Sequence, residues 1–124
     1  MTREPDDEVV VLIRNAYDAF NRREISRATS AMTPDVEWAN GWEGGYVHGH
    51  DGVRDYWTRQ WQQLDPTVNP VAITLADDGR VIVDVDQQVR QSDGTIISAG
   101  QVRHIYTLRG GLVARMEIAE PDTA

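Results

Sequence analysis

The sequence contains no cysteine and no lysine. The first absence excludes disulfides, thiolate nucleophiles and cysteine-ligated metals. The second excludes Schiff-base chemistry. Basic charge is scarce and comes from arginine alone: 12 basic against 20 acidic residues give a formal net charge of −8 and a pI near 4.7. That balance argues against a nucleic-acid partner, because such binding relies on clustered Lys and Arg neutralising phosphates. No apolar run approaches the roughly 20 residues that span a bilayer. The opening Met1-Thr2-Arg3-Glu4-Pro5-Asp6-Asp7 is too polar for a signal peptide. We therefore expect no membrane partner and a cytoplasmic location.

What is present fits an ordinary globular domain. The chain has 124 residues, 40% apolar and 26% charged, enough for one domain with a real core. We expect a single domain over 1–124, its core at about 7–120, with a frayed start over 1–6 and a short tail over 119–124.

From Asp7 onward Val9, Ile13, Ala16, Tyr17 and Phe20 recur at helical spacing, with Arg14, Asn15 and Asp18 opposite. Asp6, Asp7 and Glu8 suit the helix N-terminus. Asn21-Arg22-Arg23 breaks the period, and a shorter helix is predicted from about Glu24 to Met32, ended by Thr33-Pro34-Asp35. Val36–Asn40 and Tyr46–His48 read as short strands around the glycine-rich Gly41-Trp42-Glu43-Gly44-Gly45. Asp51-Gly52 opens a third helix with Val53, Tyr56, Trp57, Gln60, Trp61 and Leu64 on one face, stopped by Asp65-Pro66.

The rest is strand-like. Val68–Leu75, Arg80–Arg90 and Thr95–Leu108 are separated by the turn signals Asp78-Gly79 and Asp93-Gly94. Arg109-Gly110-Gly111 then reverses the chain into Leu112–Ala119, and this last hairpin should occupy the middle of the sheet. Strand alternation puts Gln101, Arg103, Ile105 and Thr107 on one face and Val102, His104, Tyr106 and Leu108 on the other. Three helices followed by a four-stranded meander is an α+β pattern, in which a curved antiparallel sheet wraps a long helix and leaves a cone open at one end. Tyr17, Trp38, Trp42, Trp57 and Trp61 are placed to line that opening or to fill it as core.

Four stretches carry a resemblance to a known family: Ile13–Asn21, Met32–Trp38, Gly49–Trp57 and Arg103–Val113. Together they resemble the nuclear transport factor 2-like superfamily, in the SnoaL-like branch with polyketide cyclases and ketosteroid isomerases. The resemblance implies a cone-shaped α+β barrel with an apolar cavity, no cofactor, and a homodimer paired through the outer sheet face. It also implies that the Arg103 face points into the cavity while His104 and Tyr106 lie toward the dimer surface. Ketosteroid isomerases pair a carboxylate base with two neutral donors. Matching the motifs puts the base position at Asn40, the second donor at Arg103 and the tyrosine at Ala16, next to Tyr17. Asn40 cannot abstract a proton, so steroid isomerase chemistry as such is not expected.

The residues leave several candidates open. Arg103 would bind a ligand anion or an internal carboxylate such as Glu37. Asp84 and Asp86 share a face and are bases only if that face is inward, whereas Val81, Val83 and Val85 make the better core set. His48 and His50 share a face without a third metal ligand. His104 would be a general base only with the opposite strand phase. The expected function is a cavity binding a small, largely apolar ligand through Tyr17, Trp38, Asn40, Trp57, Trp61 and Arg103. Any catalysis would be cofactor-independent isomerisation, cyclisation or hydration, with Arg103, Tyr17 and Asn40 as weak catalytic candidates. The alternative is a non-catalytic binding or dimerisation module whose cavity its own tryptophans fill.

Overall fold

The computed structural model of the chain describes residues 4–120. Two helices come first: α1 over Asp7–Asn21 and α2 over Ile25–Thr29. α1 buries Ile13 and Tyr17 of the expected stripe together with Ala19. Between the helices Arg23 takes a positive φ of 63°, and its guanidinium bonds Asp65 and the Pro66 carbonyl. Asn21, the last residue of α1, donates from Nδ2 to the Val68 carbonyl at 2.7 Å and accepts from the Val68 N–H at 2.9 Å. That side chain acts as a fragment of strand and fixes α1 to the sheet edge.

Next come β1 (Met32–Ala39), β2 (Tyr46–His48) and α3 (Gly49–Gln63). The meander follows as β3 (Leu64–Leu75), β4 (Val81–Gln91), β5 (Ile96–Arg109) and β6 (Leu112–Ala119). One six-stranded sheet results, in the order β2-β1-β6-β5-β4-β3. It is curved and unclosed, with the helices packed on its inner face. The β5–β6 hairpin lies in the middle, as expected. One pairing corrects the antiparallel expectation: β1 runs parallel to β6, because α3 and four strands intervene between them and return the chain in the same direction.

The prolines mark strands less decisively than anticipated. α2 ends at Thr29, and β1 starts at Met32 and runs through Pro34, which sits where the β1–β6 register shifts between Met32 and Glu37. There a missing N–H costs no ladder bond. Likewise α3 passes directly into β3 at Leu64, with Pro66 and Pro70 inside the strand. β3 is an edge strand, the place in a sheet that tolerates proline. Of the tail expected over 119–124, Ala119 belongs to β6 and residues 121–124 lie outside the described residues.

The two sheet faces divide by chemistry. Val81, Val83 and Val85 are fully buried on the inner face, beside Tyr106, Val113 and Met116. The outer face carries Asp84 with Arg103 and Asp86 with Gln101. This reverses the phase expected for β5: His104 and Tyr106 point inward, and Arg103 points outward. Core valines on β4 compel it, since Val83 pairs with His104 and Asp84 with Arg103.

Candidate functional site: a cavity with a tyrosine–histidine end

The open end of the sheet encloses a cavity of about 360 Å³, within the range usual for small-molecule sites. Its walls are mostly apolar, with Phe20, Trp38 and Trp57 in edge-on contact along one side. No Asp, Glu, Lys or Arg lines it among the described residues. Partly exposed Trp42, Gln87, Ser98 and Ile118 surround the mouth.

The polar end is built from two elements. α1 brings in Tyr17, and β5 brings in His104 and Tyr106, two residues apart and therefore on one face. Tyr106 Oη donates to Tyr17 Oη at 2.7 Å, and Tyr17 Oη lies 2.6 Å from His104 Nδ1. The Tyr17 and His104 rings are parallel within 4°. Because Tyr17 accepts from Tyr106, its own proton goes to His104 Nδ1. The neutral imidazole then carries its hydrogen on Nε2. His104 lines the cavity, and its Nε2 makes no hydrogen bond among the described residues.

Burial sets the protonation states. His104 is 7% exposed, and desolvation lowers its pKa to about 4, so the ring is neutral at neutral pH. Desolvation also raises the hydroxyls of Tyr17 and Tyr106 above the usual tyrosine range; the bond to Tyr17 partly offsets this for Tyr106. The end of the cavity is thus a chain of uncharged donors that terminates in one free N–H.

Of the residues expected to bind ligand, Tyr17, Trp38 and Trp57 line the cavity. Trp61 does not. It packs beside Phe20 and Trp57 with the Arg23 guanidinium 4.8 Å above its ring. Asn40 is buried but turned into the following loop: its Oδ1 accepts from the N–H groups of Trp42 and Glu43, at 3.0 and 2.7 Å, and its Nδ2 donates to Glu43. Both Glu43 oxygens are held by Arg59 on α3. Asn40 therefore fixes the turn that holds Trp42 at the mouth.

Arg103 is a correction. It grips Asp84 through Nε at 2.8 Å on the opposite side of the sheet, not the Glu37 suggested by the sequence. Glu37 pairs with Arg115 instead. Asp84 and Asp86 share that outer face and do not reach the cavity. His48 lies beside Glu37, whereas His50 Nε2 donates to the Met32 carbonyl. The described residues contain no group of three or more potential metal ligands.

Sequence reasoning left Tyr106 out and admitted His104 only on the opposite strand phase, which is the phase the structure shows. The signal was present: once Val81, Val83 and Val85 are inward, hairpin pairing through Asp93-Gly94 puts their partners Tyr106, His104 and Val102 inward too.

Among curated proteins, none matches the chain by sequence. Solved structures do. TerC, co-crystallised with polyporic acid, superposes with a TM-score of 0.80 at 27% identity, covering 93% of this chain and 92% of TerC. An NTF2-like protein of unknown function from Burkholderia pseudomallei gives 0.80 at 21% identity, over 94% and 92% of the two chains. A Mycobacterium tuberculosis protein in complex with estradiol-17β-hemisuccinate gives 0.74 at 12% identity, over 90% and 92%. The last two likenesses concern the fold. A family model for the SnoaL-like domain matches residues 13–116. The chain belongs to the SnoaL-like domain family.

Proposed function

We propose that the protein binds a small, neutral, largely apolar ligand whose carbonyl or hydroxyl oxygen docks on the His104 Nε2–H. The observation that carries this is the N–H at the end of the Tyr106–Tyr17–His104 chain, which has no partner among the described residues, in a cavity whose described lining holds no Asp, Glu, Lys or Arg. A buried donor left unpaired costs roughly 1–3 kcal/mol, which an acceptor oxygen on the ligand recovers. A carboxylate ligand would find no cation there. The aromatic walls suit a ring system, and the complex of TerC with polyporic acid supports this choice. Donors aimed at an oxygen also stabilise an enolate, so cofactor-independent isomerisation, cyclisation or hydration is the reaction class that fits. The free volume favours this reading over a module closed by its own tryptophans.

Tryptophan fluorescence during titration with a panel of neutral aromatic ketones and phenols tests the proposal, because Trp38 and Trp57 flank the cavity. Saturable quenching, weakened at least about tenfold by His104→Leu, is expected. No response from a folded protein would refute it. A homodimer through the outer sheet face and a cytoplasmic location complete the proposal. The half-buried Asp84–Arg103 pair supports the first, and a monomer in sedimentation would remove it.

A further inference from the structure

The cavity poses a chemical problem. A donor chain that stabilises an enolate needs a partner to remove the carbon-bound proton, and no carboxylate lines the cavity among the described residues. The position matched to a carboxylate base holds Asn40, which is occupied by the Trp42–Glu43 turn. Tyr17, Tyr56 and Tyr106 are held protonated by burial. His104 is the remaining titratable group on the lining, and its Nε2 is the ring nitrogen not engaged by Tyr17.

We infer that His104 Nε2 is the general base of a carbon-acid reaction, acting on an enolisable, neutral, ring-bearing ketone whose oxygen rests on the Tyr17 hydroxyl. This deepens the proposed function and rests on ligand binding at the same end of the cavity: the oxygen that docks first on the Nε2–H passes to the neighbouring Tyr17 hydroxyl in the reactive complex, which frees Nε2. The 2.6 Å contact between Tyr17 and His104 is short enough to work in either direction. In the empty cavity Tyr17 donates to Nδ1 and Nε2 carries the hydrogen. When a ligand oxygen accepts a hydrogen bond from the Tyr17 hydroxyl, the other neutral tautomer fits the same heavy atoms, Nε2 having passed its hydrogen to water and Nδ1 having taken one from water with no net change. Nδ1–H then donates to Tyr17 Oη, which also accepts from Tyr106, and Nε2 presents a lone pair.

The proton bookkeeping closes without a co-reactant. The α-carbon–hydrogen bond breaks and its proton joins Nε2, giving an imidazolium with hydrogen on both nitrogens. The bonding electrons move into the carbonyl, and the enolate oxygen is held by Tyr17, whose hydroxyl is polarised by two incoming donors. The imidazolium returns the proton to the same carbon, which exchanges hydrogen, or to a conjugated carbon, which isomerises the ketone. Desolvation keeps the resting imidazole uncharged and therefore available as a base.

The test uses 2-tetralone, a neutral bicyclic ketone, in D2O, with deuterium uptake at the α-carbons followed by proton NMR. Binding is measured in parallel by tryptophan fluorescence. Wild type should accelerate exchange over buffer containing free imidazole at the same concentration. His104→Gln keeps an acceptor for Tyr17 but has no basic nitrogen, and should lower the rate about 100-fold with binding retained. Tyr17→Phe should lower it as well, and Arg103→Ala on the outer face should not. Saturable binding without wild-type exchange, or exchange undiminished in folded His104→Gln, would overturn the base assignment alone. Failure to bind at all would overturn the cavity reading and this inference with it.

Discussion

Two residue pairs one step apart on the same two strands meet opposite fates. Asp84 and Arg103 face outward and form an ion pair, with side chains 29% and 18% exposed. Val83 and His104 face inward, where the valine is sealed and the histidine gives up its charge. Backbone, pairing and neighbours are nearly identical, so the difference comes from solvation. Water on one face supports an ion pair; on the other, only groups able to become neutral and to hydrogen-bond each other persist. That sorting is why the cavity ends in tyrosines and a histidine, not in carboxylates.

The contrast can be broken from either side. The largest effect should come from Val83→Asp, which puts a carboxylate on the inner face without a partner. We expect a loss of about 3–4 kcal/mol in urea unfolding, against little change for Asp84→Asn on the outer face.

Next is the pH response of His104. Its folded pKa, about 4, lies below the unfolded value near 6.5. Its contribution is therefore complete above pH 6.5 and is lost as pH falls from 6.5 through 4, where only the unfolded chain takes up the proton. The groups facing it are Tyr17 and Tyr106, both uncharged in this range. The loss should reach about 3 kcal/mol, and His104→Gln should flatten this part of the stability–pH curve.

Smaller still is Tyr106→Phe, which removes the donor to Tyr17. It should cost about 1 kcal/mol in denaturant unfolding and weaken the binding of ketones. Arg103→Ala should cost about 0.5–1 kcal/mol, since the pair is partly solvated, and leave ligand affinity unaltered. An affinity loss for Arg103→Ala equal to that for His104→Leu would erase the distinction between the faces. The smallest effect belongs to Arg59→Ala, which releases Glu43 from α3. Acrylamide should then quench Trp42 more strongly, while the unfolding midpoint barely moves.

The elements and their order were legible in the sequence because each rests on local signals. The 3.6-residue stripe of α1, the Asp-Gly turns and the Arg109-Gly110-Gly111 reversal all survive in the structure. Three things were not legible locally. The parallel β1–β6 pairing joins segments about eighty positions apart, and no nearby residue encodes it. Pro34 and Pro66 read as breaks, since a proline's tolerance depends on whether its strand is at an edge or its ladder shifts. The phase of β5 was decided by resemblance when β4 should have decided it. Arg103 and His104 are neighbours, and an error of one residue exchanges every side chain between faces.

The position of β6 has a consequence for how the chain finds this fold. Among the described residues it is the last of the six strands in sequence, yet it lies between β1 and β5 and joins the two halves of the sheet. β1 and β2 with their helices, and the β3–β4–β5 meander, can each form early through local contacts. Neither can join the other across the sheet until β6 arrives, and that closure carries the entropy of a long loop. The sheet that walls the cavity is therefore complete only when the final strand pairs with both β1 and β5.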